Sequence, residues 1–159
     1  MKIVSVLENQ TIEKRIAITP EIAKKYLELG LEVELPENYA EHLGINNNSY
    51  TEIGVKISKD EKEILKNADV IVQLGLPSDE KCSLLKEKQT LIGVLNPFNN
   101  KERLNKLIER KINVLSLEML PRITRAQSMD ILSSQANLAG YKAVIESFAN
   151  FEKAIPMMM

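Results

Sequence analysis

Short apolar runs rich in β-branched residues alternate with amphipathic segments along the first 117 residues. The clearest buried strand is Asp69–Leu74, which ends at Gly75 and Pro77. The pattern predicts strands at Lys2–Leu7, Glu32–Leu35, Val55–Ile57, Asp69–Leu74, Thr90–Leu95 and Asn113–Leu117. It predicts helices at Pro20–Leu29, near Tyr50, and at Asp60–Lys66, Asp79–Leu85 and Lys101–Arg110. This alternation predicts an α/β fold with a doubly wound, mostly parallel sheet of the Rossmann or flavodoxin-like three-layer type.

A long helix is predicted after the last strand, over Ala126–Asn150, because this segment holds no proline and a single glycine, Gly140. On an ideal helix one polar stripe forms within about 80°. Its members are Gln127, Asp130, Ser134, Asn137 and Tyr141. Opposite them lie Met129, Leu132, Ala136, Ala139 and Ala143. Because Asp130 carries the only charge of the stripe, its chemistry favours recognition of a polar ligand over plain solvation.

Composition narrows the function classes. The 21 basic and 22 acidic residues give no basic excess, which argues against a nucleic-acid partner. Cys82 is the only cysteine and His42 the only histidine, so we expect no metal cluster and no Ser/His or Cys/His catalysis. No apolar run approaches the ~20 residues that span a bilayer. We therefore expect a soluble, cytoplasmic chain without direct membrane insertion.

Two arginines, Arg122 and Arg125, follow the last predicted strand. Ligands of open α/β sheets bind beyond the carboxyl ends of the strands, and arginine pairs bidentately with phosphate or carboxylate. The alternative is a surface loop whose arginines pair with Glu118 or Asp130.

The run 118–144, EMLPRITRAQSMDILSSQANLAGYKAV, closely resembles the family of proton-translocating NAD(P) transhydrogenase alpha subunits. The segment 15–20, RIAITP, resembles a start that these subunits share with alanine dehydrogenases. The resemblance implies that a loop with Arg122, Gln127 and Asp130 helps to hold NAD(H). Arg122 and Asp130 would contact its nicotinamide end, with Ser133 as a further contact. Ser133 lies about 40° beyond the polar stripe of an ideal helix, so either the first turn is irregular or Ser134 makes this contact.

The implied reaction is direct hydride transfer between NADH and NADP, coupled elsewhere in the assembly to proton movement. Gln127 and Asp130 are the residues implied at the transfer itself, with the Gln127 amide reaching a partner domain that carries NADP(H). The cofactors supply the chemistry and the protein supplies placement. The implied partners are the remaining NAD-binding domain, the membrane and NADP-binding subunits, and a second copy in a homodimer. Such a chain would be peripheral to the inner membrane through those subunits.

Two features depart from the family pattern. Alanine dehydrogenases are expected to need a lysine on the strand ending near Pro77 and a histidine after the next strand, and neither is present. Arg15, which would grip a substrate carboxylate in those enzymes, is interpreted here as part of a structural ion pair, and His42 as a surface or turn residue. An alanine dehydrogenase-like fragment and a non-catalytic assembly piece remain as alternatives.

The six glycines form no G-x-G pattern, although family members continue into a dinucleotide domain with a glycine-rich turn. The last residues, 156–159, resemble the segment just ahead of that domain. The expected organisation is an N-terminal α/β domain over residues 1–125, followed over residues 126–159 by a bridging helix and the start of the missing NAD-binding Rossmann domain. We therefore expect the isolated chain to lack transhydrogenase activity and to bind NADH weakly or not at all.

Overall fold

The computed structural model describes residues 1–154. Its strands are β1 (Lys2–Val4), β2 (Glu32–Pro36), β3 (Lys56–Ser58), β4 (Val70–Gln73), β5 (Thr90–Gly93) and β6 (Asn113–Ser116). Its α-helices are α1 (Pro20–Glu28), α2 (Asn48–Thr51), α3 (Glu61–Lys66), α4 (Asp79–Ser83), α5 (Lys101–Glu109) and α6 (Ile131–Ala149). Short 3-10 turns lie at Glu41–Leu43, Leu117–Met119 and Thr124–Met129.

All strand pairs are parallel, and the order across the sheet is β3-β2-β1-β4-β5-β6. The chain therefore winds outward in one direction to β3, crosses to β4 and winds outward in the other direction to β6. Right-handed crossovers place the helices of the two halves on opposite faces. The predicted doubly wound α/β fold is confirmed.

Each face of the sheet carries its own core cluster. Helices α3, α4 and α5 pack on one face, where Leu65, Leu91 and Leu107 are buried. Helices α1 and α2 pack on the other face, where Val33 and Tyr50 are buried. This two-sided burial is what parallel sheets require.

Local sequence signals position the helices as expected. The Thr19 side chain accepts from the Ile22 N–H at the start of α1, and Pro20 occupies the first helical position. Asp60 caps α3 and Ser78 caps α4 through their side-chain oxygens. These caps explain why sequence and structure agree closely on where these helices begin.

The start of the last helix differs from its prediction. Residues Thr124–Met129 form 3-10 turns, Asp130 is extended with φ −74° and ψ 93°, and α6 begins at Ile131. The predicted start at Ala126 is wrong because the Asp130 carboxylate caps the helix and breaks the helical path before it. The end at Ala149 agrees with the prediction.

The chain divides into two units, Met1–Leu117 and Glu118–Met159. We call them the sheet unit and the C-terminal unit. None of the helices in the described range 1–154 is long and apolar enough to cross a membrane. The domain organisation expected for residues 1–125 and 126–159 stays a prediction. The segment 156–159, with its resemblance to the approach of a dinucleotide domain, lies outside the described residues.

Candidate functional site

A cleft of about 460 Å³ opens in the sheet unit where the loops after β1 and β4 diverge. We call it the switch cleft, because the winding direction of the sheet reverses between these strands and ligands of such sheets bind at this point. Its lining includes Glu8, Glu13, Glu61, Lys81 and Arg103.

The charged groups of the switch cleft are bonded to neighbouring side chains or to the backbone. The Glu8 carboxylate accepts from the N–H groups of Leu74 and Gly75 at 2.7 and 3.3 Å. Burial raises the pKa of Glu8 despite these bonds. Lys81 lies 3.0 Å from the Glu61 carboxylate and donates to the Leu7 carbonyl at 2.8 Å. Hydrogen bonds and ion pairs within the sheet unit therefore hold these charged side chains in place.

A buried polar network underlies the same cleft. The Tyr39 hydroxyl donates to Ser5 Oγ at 2.8 Å, and Ser5 Oγ donates to Gln73 Oε1. The Tyr39 oxygen also accepts from the N–H groups of Ala17 and Ile18. Sequence reasoning missed this network, because its members are far apart along the chain and no local pattern joins them.

Gln73 also bears on the alanine dehydrogenase alternative. It stands on the strand where those enzymes are expected to carry a lysine, and here it is 2% exposed. Its amide donates to the Val6 carbonyl and its oxygen accepts from the Val6 N–H. The buried Gln73 side chain therefore forms structural hydrogen bonds between β4 and the backbone that follows β1.

The interpretations of Arg15 and His42 agree with the structure. Arg15 Nε and Nη2 donate to the two carboxylate oxygens of Glu13 at 2.8 and 2.7 Å. His42 is exposed and lies 2.8 Å from the Lys14 carbonyl oxygen and 3.2 Å from the Gln10 amide. Both residues brace the loop between β1 and α1.

A second cleft, of about 300 Å³, lies within the C-terminal unit. We call it the Arg122 cleft. It is lined by Arg122, Ile123, Thr124, Ala126, Gln127, Asp130 and Ser133. All four residues implied by the family resemblance therefore border one space.

Asp130 organises this cleft. Its Oδ1 accepts from the N–H groups of Leu132 and Ser133 at 3.0 and 3.1 Å, which caps α6. Its Oδ2 accepts from the Ser133 hydroxyl at 2.7 Å. The Ser133 hydrogen bond is the main reason that the pKa of Asp130 is lowered, and the charge of Arg122 adds to the effect. The carboxylate is thus held ionised beside a cation.

The structure places one of the two candidate serines at the cleft. Ser133 lines the cleft, whereas Ser134 Oγ donates to the Asp130 carbonyl at 2.8 Å. Gln127 lies on the 3-10 turns before the helix, so the predicted single polar stripe from Gln127 to Tyr141 is wrong. The turn, rather than a helix face, brings Gln127 to the cleft.

The donor and acceptor set of the Arg122 cleft is mixed. Arg122 offers fixed N–H donors, Asp130 offers acceptors, and the Gln127 amide offers both. Such a set fits a ligand with adjacent donor and acceptor atoms, such as a ring carboxamide. Within residues 1–154 no group of His, Cys, Asp and Glu side chains is arranged to hold a metal ion.

Comparison with known proteins places these features in context. A profile described as "Alanine dehydrogenase/PNT, N-terminal domain" matches residues 6–139. The whole chain is 40% identical to the first of the NAD(P) transhydrogenase alpha-subunit polypeptides of Rhodospirillum rubrum and covers 43% of that protein. It is 26% identical to alanine dehydrogenase 1 of Staphylococcus aureus strain Mu50, covering 91% of this chain and 38% of the relative.

A solved structure extends the comparison to three dimensions. The crystal structure of the transhydrogenase from Sinorhizobium meliloti matches with a TM-score of 0.88 and 35% identity, over 99% of this chain and 47% of that chain. The chain spans less than half the length of these relatives. Together the profile match, the full-length identity and the shared fold show that the chain belongs to the alanine dehydrogenase/PNT N-terminal domain family.

Proposed function

We propose that the chain is the N-terminal portion of the alpha subunit of a proton-translocating NAD(P) transhydrogenase. In this proposal the Arg122 cleft forms one wall of the nicotinamide site for NAD(H). One observation carries it: Arg122, Gln127, Asp130 and Ser133 border a single cleft, although sequence reasoning expected them on a different local structure.

Each side chain of the Arg122 cleft has a distinct role in this proposal. Arg122 donates to the carboxamide oxygen, and Asp130 with Ser133 presents acceptor atoms to its amide group. NAD(H), when bound, supplies or accepts the hydride. The Gln127 amide positions the facing NADP-binding domain, so that the reacting rings are held in register and water is excluded. No general acid or base is required of this chain.

The isolated chain is expected to bind NADH weakly or not at all. Arg122, Thr124 and Gln127 of the cleft are exposed and precede α6, and the relatives extend well beyond the region that this chain matches. Titration calorimetry of the isolated chain tests this expectation. Micromolar binding of NADH would show that the site is complete without a further domain. It would contradict the proposal that the Arg122 cleft is only one wall of the nicotinamide site.

The role of Gln127 is tested in a completed subunit, in which this chain is followed by the rest of an alpha subunit. Gln127→Asn keeps the amide but shortens the side chain by one methylene. It should slow hydride transfer more than it weakens NADH binding. Gln135→Asn, on α6 outside the cleft, is the matched control. Equal losses of rate and affinity in Gln127→Asn would assign this residue to ligand binding alone.

The wider assembly belongs to the same proposal. The partners are the remaining NAD-binding domain and the subunits that span the membrane and bind NADP(H), and the subunit forms a homodimer in the cytoplasm beside the membrane. Sedimentation of the completed subunit tests the dimer. Pyruvate amination by the completed subunit would instead favour the alanine dehydrogenase alternative, which Gln73 and the missing histidine disfavour.

A further inference from the structure

Two neighbouring serines hold Asp130 at the start of α6, and each binds a different oxygen. Ser133 Oγ donates to the carboxylate oxygen Oδ2 at 2.7 Å, and Ser134 Oγ donates to the main-chain carbonyl oxygen at 2.8 Å. Ser133 lines the Arg122 cleft, whereas Ser134 lies on α6 outside the cleft lining. Any effect of Ser134 on the proposed nicotinamide site is therefore transmitted by Asp130.

The Ser134 hydroxyl reinforces a weak main-chain contact. The carbonyl of an N-cap residue normally accepts the first hydrogen bond of the helix, from the N–H four residues later. Here the Ser134 nitrogen lies 3.4 Å from the Asp130 carbonyl oxygen, beyond the usual distance of about 2.7–3.2 Å. The Ser134 hydroxyl, at 2.8 Å, is thus the closer donor to this carbonyl.

The Asp130 main chain joins the two parts of the Arg122 cleft. Its N–H donates to the Gln127 carbonyl at 3.3 Å, and its φ of −74° and ψ of 93° are extended. With the N–H bound to Gln127 and the C=O bound to Ser134, both sides of the Asp130 Cα are held. The Cα–Cβ bond then has one direction, and so does the carboxylate that accepts from the N–H groups of Leu132 and Ser133.

Another serine of α6 shows what the same hydrogen bond does inside a helix. Ser147 Oγ donates to the Ala143 carbonyl at 2.7 Å, also four residues earlier. A carbonyl inside a helix already accepts from a main-chain N–H, so a hydroxyl adds little to stability there. Asp130 differs because it is extended and caps the helix. The Ser134 hydroxyl therefore matters for the position of Asp130 more than for the helix as a whole.

We infer that Ser134 is a positioning residue for hydride transfer, which holds the Asp130 carboxylate in the direction that the nicotinamide carboxamide requires. This inference rests on the proposed function and gives Ser134 a role that needs no contact with NAD(H). Bound reactants transfer a hydride only within a narrow range of geometries. A loosely held Asp130 should therefore slow the transfer more than it weakens binding.

Substitution in the completed subunit tests the positioning role. Ser134→Ala should lower the rate of hydride transfer about ten-fold and change the KM for NADH less than about two-fold, because Asp130 is still present but less firmly held. Ser134→Thr keeps a hydroxyl that reaches the carbonyl four residues earlier and should restore the rate. Ser147→Ala removes the matched hydrogen bond and should change neither quantity.

A titration of the isolated chain gives a measurement without NADH or turnover. The pKa of Asp130 is lowered, chiefly by the hydrogen bond from Ser133. This bond depends on the direction of the carboxylate, so Ser134→Ala should raise the pKa of Asp130 toward the ordinary value of an aspartate. NMR detection of the side-chain carboxyl carbon follows this titration. Ser147→Ala is again the control and should leave the titration unchanged.

The outcomes separate this inference from the proposed function. An unshifted Asp130 titration in Ser134→Ala would overturn the positioning role, as would full activity of Ser134→Ala beside a slow Asp130→Asn. A rate that Ser134→Thr does not restore, or that falls in step with helicity and equally in Ser147→Ala, would leave Ser134 as a structural residue only. If the titration shifts as expected but neither Ser134→Ala nor Asp130→Asn slows the transfer, the proposed nicotinamide site is contradicted, and the positioning role with it.

Discussion

The two units of this protein use polar side chains in opposite ways. In the sheet unit Tyr39 and Gln73 are almost fully buried, and their polar atoms are bonded to neighbouring loops and strands. In the C-terminal unit Ala126 is the one buried residue among residues 118–154, and α6 has none. The sheet unit thus contains its own core, whereas the described part of the C-terminal unit is exposed almost throughout. Paired substitutions in the two units test this contrast.

The largest expected difference concerns two glycines. Gly93 lies opposite Gln73 in the β4–β5 pair, and a Cβ at this position would overlap the Gln73 carbonyl oxygen. Gly93→Ala should therefore lower the free energy of unfolding by more than about 3 kcal/mol in a urea titration. Gly140→Ala meets open space in α6 and should raise helicity, with a local gain of about 0.5–1 kcal/mol. If the two substitutions changed the free energy of unfolding by similar amounts, the proposed difference between the packed sheet unit and the exposed C-terminal unit would be contradicted.

The next largest effect on stability is expected from the buried carboxylate of Glu34. Burial raises the pKa of Glu34, but the hydrogen bonds from Lys2, Ser58 and Lys56 outweigh it and lower the pKa to about 2. The resulting stability, roughly 3 kcal/mol, is present above the unfolded pKa near 4.5 and is lost as pH falls through about 2.

Unfolding measured between pH 6 and pH 2 checks this dependence. Glu34→Gln should lower stability at neutral pH and flatten the acid limb of the curve. Glu146→Gln is the counterpart in α6, where an exposed pair with Lys142 contributes only about 0.3–0.5 kcal/mol. An acid limb unchanged in Glu34→Gln would show that other carboxylates govern acid unfolding.

A smaller effect is expected from hydroxyl removal at two tyrosines. Tyr39→Phe leaves the N–H groups of Ala17 and Ile18 without their acceptor and should cost about 2 kcal/mol. Tyr141 is 69% exposed on α6, and Tyr141→Phe should change the free energy of unfolding by less than about 0.5 kcal/mol. Thermal and urea unfolding of both variants give the comparison. A neutral Tyr39→Phe would mean that the loop it anchors adds little to stability.

The smallest change in overall stability is expected at Asp130, because α6 has no core to lose. Asp130→Ala should reduce helicity in circular dichroism by removing the cap, and Asp130→Asn should retain it. In the completed subunit, Asp130→Asn should still weaken NADH binding if the ionised carboxylate contacts the ligand. Binding that follows helicity across both variants would reduce Asp130 to a capping residue.

Local patterns predicted most of the fold because its determinants are short in range. The caps at Thr19, Asp60 and Ser78 are contiguous with the helices they start, and the central strands β4 and β5 are short, mostly apolar runs followed by turn residues. The predicted start of α6 was wrong because the helical pattern of the sequence continues back through Met129. In the structure Asp130 is extended and caps the helix, so α6 begins only at Ile131. An aspartate directly before the apolar pair Ile131 and Leu132 was the signal that could have shown it.

The candidate site was reached only partly from the sequence. Arg122, Gln127, Asp130 and Ser133 are implied by family resemblance, and their shared cleft depends on turns that ideal helix geometry does not describe. The bracing of the switch cleft could not be predicted. Glu8 and Gly75 are 67 residues apart in the chain, and only the β1–β4 pairing brings them together.

By itself, the sequence determined the alternation of strands and helices, the helix caps and the residue types of the candidate site, because backbone propensity and side-chain chemistry act within a few residues. The tertiary structure decided the strand order, the partners of the buried polar groups and the face of the sheet on which each helix packs. These features depend on which distant segments become neighbours and on the handedness of the connections between them. That handedness is why α1 and α2 pack on one face of the sheet while α3, α4 and α5 pack on the other.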